Sequence, residues 1–177
     1  MTRIQPAQIE SAQPKQRELF DLVKKKLGMV PNFHATVGNS PTALEAYLAY
    51  GDVLSHGELS PKVREQIALV VAQQNKCEYC ISAHSALGKT VGLKEDELSQ
   101  SRKAIAAEPK IDSILKFADN VVRTHGQVSS ESLALLREHG VSDGEIVEIV
   151  ALVSLNIFTN YINNVAETVV DFPKVAL

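Results

Sequence analysis

Apolar positions recur along this chain at helical spacing, and clean strand-like alternation is scarce. Between Pro14 and Leu27, the residues Leu19, Phe20, Val23 and Leu27 fall on one stripe, and Gly28 follows as a stop. "PNF" at Pro31 opens a short helix. Two segments then begin with the same Ser-Pro device. Ser40 caps and Pro41 takes the first helical position of "PTALEAYLAYGDVL". Ser60 and Pro61 do the same for "ELSPKVREQIALVVAQQ", in which Ile67, Val70, Val71 and Gln74 keep helical spacing. "CEYCISAHSALGKTVG" predicts the next helix, ended at or near Gly92, and a short one covers 94–101. Another runs from Pro109 to Gly126, and the next is capped by Ser129 or Ser130 and stopped by Gly140. The last segment, Ser142 to Val170, is long enough that a break near Phe158 is expected.

Within this series "EQIALV", Glu65 to Val70, resembles "EIVALV", Glu148 to Val153, at an offset of 83. In that register Cys77, Cys80 and His84 align with Asn160, Asn163 and Glu167. Duplication of a helical hairpin and chance likeness of two amphipathic helices both account for this. With no low-complexity linker, the chain is expected to be one all-α domain over 1–177.

Composition narrows the function classes. The chain is 45% hydrophobic, enough for a sizeable core, and 22% charged with a net charge of −3. That mild acidity argues against a nucleic-acid partner, which needs clustered Lys and Arg. The densest basic cluster, Lys24 to Lys26, reads as a solvated helix face. The N-terminal stretch lacks the apolar core and cleavage pattern of a secretory leader, so the expected compartment is the reducing cytoplasm. The apolar run Ile146 to Phe158 is shorter than the roughly 20 residues of a bilayer span and carries Glu148, so a buried helix and no membrane association are expected.

In a reducing compartment the two cysteines, Cys77 and Cys80, call for chemistry rather than stapling. At about 100° per residue, Cys80 lies about 60° and His84 about 20° from Cys77 around a helix. Cys80 and His84 are i,i+4 neighbours, so the imidazole can reach the thiol. Cys77 falls in the first turn, where the helix dipole favours a thiolate. If the chain reverses near Asn75, Glu65 comes out beside His84, and a carboxylate there fixes the tautomer and raises the basicity of the ring. Two thiols, an imidazole and a carboxylate also make a possible tetrahedral zinc set, and two buried cysteines can be simple small hydrophobes. All three readings follow from the residues alone.

The set Glu65, Cys77, Cys80 and His84, in "REQIALVVAQQNKCEYCISAH", resembles the signature of the AhpD-like alkylhydroperoxidases of the carboxymuconolactone decarboxylase superfamily, in their peroxidase-related branch. The resemblance is strongest over 59–92. It implies an AhpD-like helical fold with a central antiparallel hairpin, no cofactor, no resident metal, and a homo-oligomer, trimeric or hexameric. It further implies a thiol peroxidase in which Cys80 attacks an alkyl hydroperoxide, Cys77 resolves the sulfenic acid, and His84 with Glu65 relays protons. A dithiol, lipoyl or thioredoxin-like, would then reduce the disulfide. A general thiol–disulfide oxidoreductase and a non-catalytic ligand- or zinc-binding member are the alternatives. Tyr79 stands where some members carry a further histidine, which removes one possible base.

The remaining polar and aromatic residues are expected to be structural. His34 packs or caps, and His56, His125 and His139 sit at helix ends. Tyr47, Tyr50, Phe158 and Tyr161 read as core or subunit contacts, with Tyr47 and Tyr50 also able to line a pocket. Asn156, Asn160, Asn163 and Asn164 are unusual on one long helix, and satisfying buried polar groups at an oligomer interface is one reading of them.

Overall fold

The punctuation of the sequence sets the helix ends. A computed structural model describes residues 2–177, and among them are nine α-helices and no strand. The first three are α1 (Pro14–Leu27), α2 (Asn32–Val37) and α3 (Pro41–Leu54). A hairpin follows, α4 (Pro61–Gln74) with α5 (Glu78–Thr90), then α6 (Glu95–Ser101). The last three are α7 (Pro109–Thr124), α8 (Ser130–Glu138) and α9 (Asp143–Ala166). Ser40 Oγ accepts the N–H of Ala43 at 3.3 Å, and Ser60 Oγ that of Val63 at 3.3 Å. Ser129 and Ser142 cap α8 and α9 in the same way. Each such cap is worth about 1 kcal/mol over alanine. Gly28 closes α1 in the left-handed conformation, φ 79°.

α4 is the centre of the molecule. It packs against α5, α6, α7 and α9. Its buried residues, from Val63 through Ala72, occupy nearly every side of the cylinder, and a helix apolar all round has to be enclosed by others. Ile67, Leu69 and Val71 are fully buried. The side of α4 facing α7 and α9 joins one apolar cluster with Leu115, Phe117 and Ile149. Ala72 belongs to a second cluster with Phe20, Phe33, Leu44, Cys77 and Cys80. The segment that carries both cysteines is thus part of a packed core.

The expected break near Phe158 does not occur. α9 runs for 24 residues without interruption. It is long and apolar enough by composition to cross a membrane, but its residues Ile149, Leu152 and Val153 are buried against α4 and α7. Glu148 accepts the backbone N–H groups of Glu58 at 2.9 Å and Leu59 at 3.2 Å. In the register of the sequence repeat, α9 passes straight through the position where the α4–α5 hairpin turns. The likeness between the two segments therefore covers the first helix of the hairpin and not its turn.

The interface reading fails for three of the four asparagines. Asn156, Asn160 and Asn163 are buried inside this single chain, and only Asn164 lies at the surface. Asn164 donates to Asn75 O at 2.9 Å and Asn160 Oδ1 accepts from Asn75 Nδ2 at 3.0 Å. Asn160 and Asn164 thereby tie α9 to the hairpin turn. Beyond Ala166 the chain crosses the outside of the second cluster, where Val170, Phe172 and Val175 pack. This segment is pinned by Asp171, which accepts the N–H of Asn32 at 2.7 Å, and by Val175, whose N–H donates to Ser82 Oγ at 3.1 Å.

Candidate functional site

The turn between α4 and α5 places the cysteines. Asn75 ends α4, Lys76 takes a left-handed φ of 50°, and the N–H of Cys77 returns to Ala72 O at 2.9 Å. Cys77 is then the N-cap of α5 rather than a member of its first turn, and its Sγ accepts the N–H of Cys80 at 3.3 Å. The expectation of a helical Cys77 is off by one position, but the consequence is similar. Both sulfurs lie where unpaired backbone N–H groups favour negative charge. The thiols are reduced and buried, at 0% and 3% exposure.

The antiparallel hairpin brings Glu65 to His84 as expected. Glu65 Oε2 lies 2.8 Å from His84 Nδ1, and both side chains keep 21% of their surface exposed. With Nδ1 held by the carboxylate, Nε2 is the nitrogen left for proton exchange. Burial works against an imidazolium, but the Glu65 carboxylate and the charge at Cys80 outweigh it and raise the His84 pKa.

Cys80 is not hydrogen-bonded to His84 among the described residues. Its partners come from α9, where Asn163 Nδ2 donates to Sγ at 3.3 Å and the Thr159 hydroxyl lies at 3.9 Å. Burial opposes a Cys80 thiolate. The Cys77 hydrogen bond, the positive charge of His84 and the amides of Asn163 and Asn160 together prevail, and the Cys80 pKa falls to about 6. Cys77 moves the other way. The hydrogen bond it gives to Cys80, then burial, then the Cys80 charge hold its proton in place. The two shifts are opposite in direction, toward the charged form at Cys80 and toward the protonated form at Cys77.

Cys80 opens into a cavity of about 120 Å³ between α2, α3, α5, α9 and the C-terminal segment. Its wall is mostly apolar, with Phe33, Ala83, Leu87 and Phe172 around Tyr47. His84, Asn163 and Thr159 reach the same space. Tyr47 stacks on Phe158 at 5.9 Å between ring centres. Of the two tyrosines on α3, Tyr47 lines this pocket, while Tyr50 donates to Ala151 O at 3.1 Å near the surface. Tyr161 is exposed.

Tyr79 also lines the cavity, but its hydroxyl bonds neither sulfur. Its hydroxyl accepts the N–H of Phe33 at 3.1 Å and donates to Asp171 at 2.8 Å, so it ties α5 to α2 and the C-terminal segment. His34 is buried in α2, also on the cavity wall, with Nδ1 unpartnered. Burial holds its pKa down at about 4 against the opposing charge of Asp171. His56, His125 and His139 sit at helix ends as expected. Among the described residues no three His, Cys, Asp or Glu side chains converge as a metal-binding set. The residues missed by sequence reasoning are Thr159, Asn163 and His34. For Asn163 one signal existed, because the offset of 83 pairs it with Cys80, the residue it touches.

Comparison with known proteins agrees with the all-helical fold. The carboxymuconolactone decarboxylase family model matches residues 41–120. The chain is similar to the structure of an uncharacterized peroxidase-related protein from Ralstonia eutropha JMP134, described as an alkylhydroperoxidase AhpD core. That match has 26% identity and a TM-score of 0.87, and covers 96% of this chain and 92% of that one. An uncharacterized peroxidase-related protein from Silicibacter sp. TM1040 matches with 25% identity and a TM-score of 0.81, covering 94% and 91%. An uncharacterized protein from Haemophilus influenzae is 50% identical over 46 residues, which are 25% of this chain and 41% of that relative. That aligned stretch thus spans less than half of the relative's length.

Proposed function

This chain belongs to the carboxymuconolactone decarboxylase superfamily, among its AhpD-like members, and from that premise we propose that it is a thiol peroxidase for small organic hydroperoxides. The observation that carries the proposal is the placement of the pair, with Cys80, its sulfur held by Asn163 Nδ2, on a mostly apolar cavity that the Glu65-bonded His84 also lines, and Cys77 beside it.

The Cys80 thiolate attacks the terminal oxygen of R–O–OH. A sulfur–oxygen bond forms, the oxygen–oxygen bond breaks, and the alkoxide leaves. His84 Nε2 hands it a proton, and Glu65 on Nδ1 stabilises the ring through the exchange. Cys80 is now a sulfenic acid. The Cys77 sulfur attacks it, a disulfide forms, and the hydroxyl leaves as water with the Cys77 proton. Two electrons have passed from the dithiol to the peroxide.

A dithiol reductant completes the cycle by exchange. The burial of both sulfurs favours a slender donor such as a lipoyl arm over the flat surface of a thioredoxin-like protein. The same burial argues for a small oxidant over general exchange with protein disulfides. Exposed Val147, Val150, Tyr161 and Val165 along α9 support assembly into a homo-oligomer, and the cytoplasm is the compartment that keeps such a dithiol reduced.

Intact mass before and after one equivalent of tert-butyl hydroperoxide tests the reading. The expected result is loss of two hydrogens per wild-type chain, no change in Cys80→Ser, and a trappable sulfenic acid in Cys77→Ser. An unchanged wild-type mass, or normal peroxide consumption by Cys80→Ser, would overturn it.

A further inference from the structure

Two residues that line the Cys80 cavity each hold a buried polar atom without a hydrogen-bond partner. Asn163, 4% exposed, gives its Nδ2 to Cys80 Sγ and leaves Oδ1 unpaired. His34, 9% exposed, leaves Nδ1 unpaired, with its ring held edge-on to Phe33 at 5.1 Å and tilted against Tyr47 at 5.8 Å. An unpaired buried polar atom costs about 1–3 kcal/mol, so two on one otherwise apolar wall call for a ligand that satisfies both.

We propose that Asn163 and His34 are two recognition points for one substrate, a small uncharged hydroperoxide that carries a second polar group such as a hydroxyl. This rests on the peroxidase reading given above and names its substrate class. Asn163 Oδ1 accepts the O–H of the peroxide. Because Nδ2 of the same amide holds the Cys80 sulfur, the planar group sets the thiolate and the terminal oxygen side by side. The bonds made and broken are those already given, and the amide only orients them. His34 hydrogen-bonds the second group. Its low pKa keeps the ring neutral at physiological pH, so one nitrogen donates and the other accepts.

Charge and size set the rest of the class. Among the described residues no Lys or Arg lines the cavity, while the Cys80 thiolate does and Asp171 lies near His34. A carboxylate such as a fatty-acid hydroperoxide would meet the Cys80 charge and, at His84, a cation already paired with Glu65. A dry cavity of about 150 Å³ holds one benzene, so about 120 Å³ suits a branched alkyl group of a few carbons.

The test compares tert-butyl hydroperoxide with the analogue in which one methyl carries a hydroxyl. Wild type should prefer the hydroxylated peroxide about fivefold in kcat/KM, the value of one added hydrogen bond. His34→Phe should bring the ratio close to one, and His34→Gln, which keeps a donor and an acceptor, should restore part of it. Asn163→Ala should slow both peroxides alike, since the –OOH group is common to them. A wild-type ratio near one, a ratio that survives His34→Phe, or an Asn163→Ala effect confined to one peroxide overturns the assignment. If wild type consumes neither peroxide, the peroxidase reading falls, and the subsite is decided separately by titrating the product diol into Cys80→Ser. A shift of the His34 ring nitrogens, absent with tert-butanol, retains the subsite, and no shift ends it.

Discussion

The amide of Asn163 donates to the sulfur of Cys80 at 3.3 Å, although 83 positions separate them. A hydrogen bond to the charged form of a group favours that form. Asn163→Ala should therefore raise the Cys80 pKa above about 6. The rate of alkylation by iodoacetamide against pH reads this directly. The midpoint should move upward in the variant, and an unmoved midpoint would mean that the contact carries no electrostatic weight.

The largest stabilisation of the Cys80 thiolate comes from Cys77. Cys77→Ala should move the midpoint further than Asn163→Ala does. The sign extends to stability. Cys80 has an ordinary pKa of 9.0 in the unfolded chain and about 6 in the fold. Its stabilising contribution is full above pH 9.0, shrinks below it and is lost as pH falls through about 6. Urea unfolding of wild type and Cys80→Ser at pH 5 and pH 8 should show a larger advantage for wild type at the higher pH. An equal difference at both values would contradict the thiolate assignment.

Glu65 raises the His84 pKa, and His84 in turn lowers that of Cys80. Glu65→Gln should weaken both effects while keeping a hydrogen-bonding group near Nδ1. The reaction with peroxide at pH 7 should fall about tenfold, and in His84→Gln, which removes the acid–base group itself, about 100-fold. Stopped-flow measurement of sulfenic acid formation in a Cys77→Ser background isolates this step. Equal rates in all three proteins would remove the relay from the mechanism.

The helices and the Glu65–His84 pair were legible because their causes are local. Ser40-Pro41 and Ser60-Pro61 mark starts, Gly28 marks a stop, and a hairpin at Asn75 has only one way to align residues ten before and nine after it. The break expected near Phe158 rested on length alone. α9 stays whole because α4 and α7 bury its middle, a tertiary effect that no local pattern reports. The asparagines were misplaced for a related reason. Polar residues on an apolar helix suggest an interface, but which surface they meet depends on packing between α9 and the turn at Asn75. His34 looked like an ordinary loop or cap histidine because nothing in "PNFHATVG" announces the cavity that α5, α9 and the C-terminal segment build against it.

Tyr79 offers a last prediction. It lies between the two cysteines in sequence, yet its hydroxyl serves α2 and the C-terminal segment, accepting from Phe33 N–H and donating to Asp171. Tyr79→Phe leaves the buried Phe33 N–H without a partner and takes one donor from Asp171, whose other oxygen still holds Asn32 N–H. The loss should be about 1–3 kcal/mol, the cost of an unsatisfied buried donor, and it should fall on the outermost element. Hydrogen exchange should accelerate most over residues 168–177 and in α2, with α4 and α7 unchanged. Phe172, which meets the Tyr79 ring edge-on at 5.8 Å and lines the cavity, should be released with that segment. The variant should then bind small apolar ligands less tightly while its Cys80 pKa stays in place, since the Tyr79 hydroxyl bonds Phe33 and Asp171 and neither sulfur. Global destabilisation spread evenly across the helices would instead make Tyr79 an ordinary core residue with no special tie to the cavity wall.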